Sequence, residues 1–337
     1  MNAAEILTEV TGLAAQPGTF AERAAALQAQ LQRVVRFDAG WISLLPPDQD
    51  SHVPLARSGY DERVCGFLDG AMMLADVELV GLRRSRRPVR LRDSPIPPSD
   101  LPGWAEYLAP AGFRDAVSAG LFTPEGRYLG LLTLNTQTAD QVSEAARDLV
   151  GVLAAPIASA VDPLRSLSTI AGIVRGATAG VVLSHGGTGL ALPGLPDHRL
   201  LAPGSGVVAA ACEQVAQGSS YASFLAPLPR GQDAEGHVRV SVLAVPRDVS
   251  FFAAAVVLIS PAGDLCGLSR RELQVLGQLV TGASNEQIAV ALAISARTVA
   301  ARIEHARAKL AAPSRTAAAA RALRLGLFVP FSLVTPM

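Results

Sequence analysis

Lysine is nearly absent from this 337-residue chain, in which Lys309 is the only one. A P-loop that holds nucleotide phosphates, a Schiff base with a carbonyl substrate and a phosphorylated receiver domain each need a lysine of their own. No lysine stands anywhere else in the chain. The sequence therefore argues against nucleotide-driven, Schiff-base and phosphoacceptor modules before that position.

Cysteine is also scarce, and the three that occur, Cys65, Cys212 and Cys266, are far apart. They form no Cys-x-x-Cys pair, and the five histidines show no metal-ligand spacing. We therefore expect no disulfide framework, no metal site and no cofactor, and a reducing cytoplasm suits the chain. No pair of carboxylates stands in a recognisable catalytic frame, so no catalytic residue is predicted.

Long hydrophobic runs are missing as well. The longest nearly apolar run, residues 149–161, has thirteen residues between Asp148 and Asp162, too few to span a bilayer. The first residues are acidic, and no positive charge precedes Arg23, unlike in a secretory signal. We expect no membrane association and a cytoplasmic location.

Charge is distributed unevenly, although the net charge is zero. Hydrophobic residues make up 50% of the chain and charged residues 17%, which is enough for two or three packed domains. From residue 265 onward there are nine basic and three acidic residues, a net charge of +6, whereas the preceding part has 20 basic and 26 acidic residues, a net charge of −6. A compact basic segment suits binding to phosphates.

The basic segment has the pattern of four short amphipathic helices within residues 268–329. Each is preceded by a serine at the N-cap position: Ser269, Ser284, Ser295 and Ser314. Glu272 and Gln287 follow the first two serines at the capping-box spacing. Gly326 is expected to end the fourth helix in a left-handed conformation.

The second and third helices, joined by a turn at Ala293 and Ile294, form a helix-turn-helix arrangement. At 100° per residue, the third helix turns four residues to the core: Val299, Ile303, Ala306 and Leu310. Its opposite face carries Arg297, Ala301, Glu304, His305 and Ala308. Small residues let a helix enter the major groove, Glu accepts from cytosine, and Arg or Lys contacts phosphate or guanine.

Ordered motifs in this segment resemble the LuxR-type C-terminal DNA-binding domain: L-S-R-R-E-L-Q-V-L, G-A-S-N-E-Q-I-A, L-A-I-S-A-R-T-V, K-L and S-R-T-A. The resemblance implies that the helix-turn-helix reads double-stranded DNA and that the fourth helix contributes to a homodimer. The predicted DNA contacts are Asn285, Ser295, Arg297, Thr298, Ala300, Ala301, Arg302, Glu304, His305, Lys309 and Arg315. Ala300 and Arg302 replace the family's usual Lys and His, so no DNA sequence preference is carried over.

Two alternatives remain open for this segment. A small helical bundle could bind a protein, with its basic residues merely solvated. Glu304 could pair with Arg307 or Arg297 along the helix surface instead of contacting a base.

Residues 1–162 alternate helix and strand patterns, with strands predicted over residues 40–45, 52–60, 116–122 and 128–135 and a closing helix over residues 142–160. The run G-F-R-D-A-V-S-A-G-L-F-T-P-E-G-R-Y-L-G-L-L-T-L-N resembles the GAF family. The resemblance implies an α/β sandwich with a small-ligand pocket on one face of its sheet. The candidate lining residues, which could equally be plain core, are Trp41, Phe67, Met72, Met73, Trp104, Tyr107 and Phe113.

Residues 163–260 have a PAS-like pattern, in which a hairpin and a helix are followed by three antiparallel strands, the last over residues 251–260. Residues 261–267 are predicted to be a linker. The predicted fold class is therefore multidomain α+β. It has a GAF-like α/β sandwich (1–162), a PAS-like domain with an antiparallel sheet (163–260) and an all-α, four-helix helix-turn-helix domain (268–329).

The run V-V-L-S-H-G-G-T-G around His185 is similar to the His-Gly-Gly loop that supplies oxyanion-hole donors in some esterases. Such an enzyme also needs a Gly-x-Ser-x-Gly nucleophile elbow, and the chain has none. A glycine turn between two strands is the favoured interpretation. An esterase with a DNA-binding tail stays the less favoured alternative.

These patterns predict a cytoplasmic, sequence-specific DNA-binding transcription regulator of bacterial type rather than an enzyme. Its sensory domains are expected to modulate DNA binding by a dimer, through an unidentified small-molecule effector in the GAF-like domain. The alternative is that both domains bind no ligand and serve dimerisation or partner docking. A polar pocket favours sensing, whereas a filled core favours scaffolding.

Overall fold

A computed structural model of the chain describes residues 3–14, 18–33, 35–165, 167, 176–228, 236–246, 250 and 252–334. The chain divides into two compact units, Met1–Arg165 and Ser166–Met337. Phe251, the expected first residue of the last PAS-like strand, lies outside the described residues. Among the residues described, no helix combines the length and apolar character that crossing a bilayer requires.

The first unit contains one antiparallel sheet and five α-helices in its described part. The helices are α1 (Ala3–Ala14), α2 (Phe20–Gln32), α3 (Glu62–Leu68), α4 (Ala71–Val80) and α5 (Glu144–Val161). The strands are β1 (Ala39–Leu44), β2 (Val53–Ser58), β3 (Val89–Arg90), β4 (Asp115–Phe122) and β5 (Tyr128–Thr136). The strand order is β2-β1-β5-β4-β3. The four predicted strands are confirmed to within a few residues at each end, whereas the short edge strand β3 was not predicted.

Helices cover both faces of this sheet. All six residues of β1 are buried, and since successive side chains point to opposite faces, both sides of the strand must be covered. Helices α2 and α5 pack against β1, β2 and β4, and α1 packs against α5. Side chains of α3, α4 and the π-helical turn Trp104–Leu108 form a core with Trp41 and Leu131 of the sheet. The predicted α/β sandwich is confirmed.

Local signals explain where several of these helices begin and end. Thr19 accepts a hydrogen bond from the backbone N–H of Glu22, whose carboxylate accepts from the N–H of Thr19, so α2 starts with a complete capping box. Asp61 caps α3, and Ser143 caps α5. Gly81 ends α4 in the left-handed conformation.

The second unit contains another antiparallel sheet and, in its described part, five α-helices. Its strands are β6 (Ala179–Ser184), β7 (Gly189–Ala191), β8 (Tyr221–Pro227), β9 (His237–Ala244) and β10 (Ala253–Pro261). Its helices are α6 (Gly206–Ala216), α7 (Arg270–Val280), α8 (Asn285–Leu292), α9 (Ala296–Lys309) and α10 (Arg315–Leu325). The strand order is β7-β6-β10-β9-β8. Counted within each sheet, both units therefore share the order second, first, fifth, fourth, third.

The hairpin of β6 and β7 turns where the His-Gly-Gly run stands. Ser184 and Thr188 are hydrogen-bonded through their backbones, and Gly187 adopts a positive φ of 82°, which favours glycine. The glycine turn between strands is confirmed.

The sheet of the second unit shares one hydrophobic core with the four helices that follow it. Phe224 and Val240 of the sheet belong to the same buried cluster as Leu273 and Leu276 of α7. Within the predicted linker, residues 261–267, Ala262 and Leu265 also pack against this cluster. Helix α6 packs on β9 and β10.

Candidate DNA interface and ligand cavity

Each of the four C-terminal helices starts at the serine that the sequence indicated. The Ser269 N–H donates to the Glu272 carboxylate at 2.7 Å, and the Ser284 N–H donates to Gln287 Oε1 at 2.7 Å, so both predicted capping boxes are present. The side chains of Ser295 and Ser314 accept from the N–H groups of residues 298 and 317, each at 3.1 Å. Because caps satisfy otherwise unpaired N–H groups, these serines fix where the helices begin.

A tight turn joins α8 to α9. Ala293 adopts the left-handed conformation with φ of 51°, and the Ile294 N–H donates to the Ala289 carbonyl at 3.0 Å. Ser295 then caps α9 directly. This compact connection sets the two helices as a helix-turn-helix pair.

Helix α9 buries one face and exposes the other, as predicted. Val299 and Ala306 have no exposed surface, and Ile303 and Leu310 are at most 5% exposed. The opposite face is exposed: Arg297, Ala301, Glu304, His305 and Ala308. Ala300 is exposed beside it, whereas Thr298 and Arg302 are half-buried. The exposed strip combines small residues with charged ones, which suits entry into a DNA groove.

Two arginines on α9 are free to contact another molecule. The side chains of Arg297 and Arg302 make no hydrogen bond or ion pair with any residue that the structure describes. Arg307, in contrast, is held by the Glu304 carboxylate at 2.7 and 3.0 Å and by the Pro313 carbonyl at 2.7 Å. The unpaired positive charge of the helix therefore lies towards its N-terminal half.

In the first unit, a cavity of about 80 Å³ lies between the sheet and the helices α3 and α4. Its wall is mostly apolar and includes Phe67, Met73, Val77, Leu101, Trp104 and Leu108. Polar residues of the sheet also line it, among them Ser118 and Thr133, whose hydroxyls are bonded to each other at 3.0 Å. A concave, mostly apolar site with few polar groups is typical of small-molecule binding.

Two polar side chains of this wall have unsatisfied atoms. Asp76 accepts from the Gly103 N–H at 2.9 Å through Oδ2, while its Oδ1 is buried without a partner among the described residues. Asn135 Oδ1 accepts a hydrogen bond from the Tyr60 hydroxyl at 2.6 Å, while its Nδ2 is buried and also has no partner among the described residues. Burial raises the pKa of Asp76, and the nearby Glu106 raises it further, against the lowering effect of the Gly103 bond. The cavity wall thus contains a carboxyl oxygen and an amide N–H₂ that have no hydrogen-bond partner among the described residues.

Two family models match the chain. Residues 267–322 match the family described as "Bacterial regulatory proteins, luxR family", and residues 20–162 match the GAF domain. The protein combines a GAF domain with a LuxR-type DNA-binding domain. It is a DNA-binding transcription regulator that carries a domain of the sensory GAF family. A search of curated proteins finds no match.

Solved structures similar to the chain include several GAF domains. The phycocyanobilin-bound GAF domain of a cyanobacterial phytochrome is 22% identical, over 48% of this chain and 94% of that chain, with a TM-score of 0.37. The GAF domain of a phosphoenolpyruvate-protein phosphotransferase from Coxiella burnetii is 16% identical, over 52% and 98%, with a TM-score of 0.37. The bacteriophytochrome RpBphP3 from R. palustris is 12% identical, over 76% and 63%, with a TM-score of 0.38.

Lys309, a predicted phosphate contact of the LuxR-type domain, is tied to the domain itself. Its Nζ lies 2.8 Å from the Glu272 carboxylate of α7, whose side chain is only 6% exposed. Burial by itself would raise the pKa of Glu272, but hydrogen bonds from Lys309 and Ser269 hold that pKa below its usual value. This ion pair connects α9 to α7. To contact a DNA phosphate, Lys309 would first have to give up its ion pair with Glu272.

Two further predicted DNA contacts, Asn285 and Arg315, are bonded to each other. Arg315 donates to Asn285 Oδ1 and to the Ala283 carbonyl, which ties the start of α10 to the start of α8. Ser295 and Thr298 are paired through their hydroxyls at 2.8 Å. The structure therefore leaves Arg297 and Arg302 as the predicted basic contacts without a partner inside the domain.

Three of the seven predicted pocket residues line the cavity of the GAF domain: Phe67, Met73 and Trp104. Tyr107 stacks on Phe67 with ring centroids 4.9 Å apart, while Trp41 and Phe113 belong to the buried core and Met72 is 41% exposed. The polar wall residues Asp76 and Asn135 were not predicted from the sequence. A carboxylate inside the apolar helix sequence A-M-M-L-A-D-V-E-L-V was the available signal for Asp76.

Proposed function

We propose that this regulator binds a specific double-stranded DNA sequence as a homodimer through the exposed face of α9. The observation that carries the proposal is the solvent-facing strip of small residues with the unpaired side chains of Arg297 and Arg302. Unpaired guanidinium groups can bind phosphate or guanine without first breaking a bond inside the protein. The net charge of +6 from residue 265 onward supports the same role.

An exposed face of α10 supports the dimer. Thr316, Ala320 and Leu323 follow each other at spacings of four and three residues, and all three are exposed, Leu323 by 53%. Helix positions at these spacings lie on one side, so two copies of α10 can pack through small side chains and one leucine. Two-fold symmetry then places two α9 helices about one turn of DNA apart.

We further propose that a small molecule in the GAF cavity modulates DNA binding. The buried, unpaired atoms of Asp76 and Asn135 support the binding of a polar ligand group there. Buried polar atoms without a hydrogen-bond partner destabilise a protein, and a ligand could supply that partner. An apolar cavity of about 150 Å³ can bind benzene. The cavity of the GAF domain is about half that size, which favours a ligand of only a few heavy atoms.

The small volume favours a second function for the GAF domain, as a ligand-free dimerisation or docking module. The two functions predict different responses to polar small molecules. Ligands of the cavity should raise the unfolding temperature of the wild-type protein and not that of a variant with Leu in place of Asp76, whereas a scaffold should show no ligand-dependent shift.

We propose that residues 1–162 are the sensing domain and that residues 268–329 are the DNA-binding domain. Residues 163–260 form the PAS-like part and residues 261–267 its connection to the DNA-binding part. A cytoplasmic location completes the proposal, since the DNA is there.

Selection of genomic DNA fragments by the full-length protein tests this function. We expect a shared inverted-repeat motif that is lost with the double variant Arg297→Ala, Arg302→Ala. Lys309 is kept in the variant because its pairing with Glu272 would make a lost fold look like lost DNA contact. Fragments without any shared motif would contradict sequence-specific binding, and a monomer by light scattering both with and without DNA would contradict the dimer.

A further inference from the structure

The first helix of the LuxR-type domain is buried along almost its whole length. Every residue from 272 to 279 of α7 is buried, including the polar Gln274 and Gln278. A surface helix of a small bundle normally buries one stripe and exposes the rest. Something beyond α8, α9 and α10 must therefore cover α7.

The cover is residues 327–334, here called the strap. Leu327, Phe328 and Val329 are at most 5% exposed, and the Val329 N–H donates to the Leu273 carbonyl of α7 at 3.2 Å. The Val329 carbonyl lies so close to Gly277 that an added Cβ there would be 1.9 Å from it. The strap thus crosses α7 at a point where only glycine leaves room.

The strap also attaches to the sheet of the second unit. The Leu225 N–H of the edge strand β8 donates to the Phe328 carbonyl at 2.8 Å. Further along, Leu333 lies against Gly206, the first residue of α6. The outer edge of an edge strand presents backbone N–H and C=O groups without a partner strand, and the strap supplies a hydrogen-bond acceptor for one of these N–H groups.

Arg239 of β9 reinforces this attachment. Its guanidinium donates to the Leu325 carbonyl at 2.8 Å, the Ala262 carbonyl at 3.0 Å and the Ser223 hydroxyl at 3.2 Å. The Leu325 carbonyl is at the C-terminal end of α10, where the helix dipole favours a positive charge. A Cβ on Gly326 would be 2.6 Å from both Arg239 Nη1 and Ser223 Oγ, so α10 ends in close contact with the sheet.

The exposed face of α9, which is proposed to read DNA, is not part of the contacts that the strap and Arg239 make. The main contacts of α9 are with α7, α8 and α10, and Arg297, Ala301 and His305 remain exposed. The joint therefore sets the direction in which α9 points without covering it.

We propose that the strap and Arg239 form a joint that fixes the DNA-binding domain on the middle sheet, so that the sheet dictates the orientation of α9 and hence the spacing of the two DNA half-sites. This proposal rests on the proposed dimeric DNA binding for its effect on spacing. The joint itself stands on the contacts of the second unit. Opening the joint gives each α9 freedom to reach half-sites at several spacings.

Hydrogen exchange of the full-length protein tests the joint directly. In the wild-type protein, the amides of Leu225 and Val329 should exchange as slowly as those of the sheet core. Arg239→Ala, and independently Phe328→Ala, should speed up both amides by about tenfold or more while the amides of α9 keep their wild-type rates. Arg199→Ala, which removes an exposed arginine of the same unit that has no bond to the strap, is the matched control.

Binding to selected DNA tests the consequence. With inverted half-sites, the wild-type protein should prefer one spacing over a spacing changed by half a turn by about tenfold or more, and Arg239→Ala should reduce that preference to about threefold or less. Its affinity for a single half-site should stay unchanged.

The two measurements separate the proposals. Fast exchange of Leu225 and Val329 in the wild-type protein, or unchanged exchange in both variants, would overturn the joint even if the protein binds DNA. If a variant exchanges the Leu225 and Val329 amides faster and still keeps the wild-type spacing preference, the joint does not determine the spacing of the half-sites. If the protein binds no DNA, dimeric DNA binding fails, and the exchange rates of the two amides alone decide whether the joint exists.

Discussion

The two sheets of this protein have the same strand order and opposite uses. The sheet of the first unit is covered by its own helices, which leave a cavity of about 80 Å³ lined by Asp76 and Asn135. The sheet of the second unit shares its core with the DNA-binding helices, and its edge strand bonds to the strap. The first sheet thus borders a cavity, whereas the second sheet supports the DNA-binding helices.

This difference shows that the strand order alone does not decide what a sheet does. One face of the first sheet borders the cavity because α3, α4 and the turn at residues 104–108 cover that face. The second sheet extends its core into α7, so that its apolar side chains stabilise a neighbouring domain. What packs on the sheet decides its use.

The same glycine-to-alanine substitution in a helix of each unit tests the difference between the two sheets. Gly277→Ala in α7 places a Cβ 1.9 Å from the Val329 carbonyl, a backbone atom that cannot move without displacing the strap. We expect this change to destabilise the second unit by about 2 to 4 kcal/mol, or to expel the strap. Calorimetry of the full-length protein measures the effect.

Gly66→Ala in α3 of the first unit is the matched control. A Cβ at Gly66 meets nothing within 4 Å, so the ordinary gain of alanine over glycine in a helix, about 0.5 to 1 kcal/mol, should stabilise the first unit. Equal effects of the two substitutions would show that the strap does not lie tightly on α7.

A second, smaller effect concerns the carboxyl group of Asp76 in the cavity of the first unit. Burial raises the pKa of Asp76 above its ordinary 3.8, so the folded protein holds this proton more tightly than the unfolded chain does. As the pH rises above that ordinary value, the wild-type protein therefore loses stability that Asp76→Asn should keep. We expect the variant to be the more stable protein at about pH 7, with the difference shrinking towards about pH 4.

Denaturant unfolding of the first unit at several pH values measures this difference. Asp50→Asn, at an exposed position of the same unit, controls for the loss of one negative charge. An identical pH dependence in wild type and Asp76→Asn would show that the cavity does not penalise the ionised carboxylate.

The DNA-binding helices could be predicted closely from the sequence because their signals are local. Ser269 and Glu272, or Ser284 and Gln287, stand three residues apart and satisfy each other's backbone groups whatever the rest of the chain does. The spacing of Val299, Ile303 and their neighbours likewise defines the buried face of α9 without any tertiary information.

Contacts between distant residues could not be predicted in this way. Lys309 pairs with Glu272 across 37 positions, and Arg239 bonds to Leu325 across 86. The strap is apolar and short, and nothing in its own pattern distinguishes it from a loop. In the cavity, aromatic identity could not separate the lining Trp104 from the buried Trp41, because only the fold decides which side chain borders a space.

Titration of a selected DNA duplex with the full-length protein tests the central claim, DNA reading by α9, most directly. Between about 50 and 200 mM salt, the double variant Arg297→Ala, Arg302→Ala should bind at least about tenfold more weakly than the wild type, with a salt slope lower by about 2. Arg199→Ala should match the wild type. Unchanged affinity and salt slope in the double variant would contradict the claim.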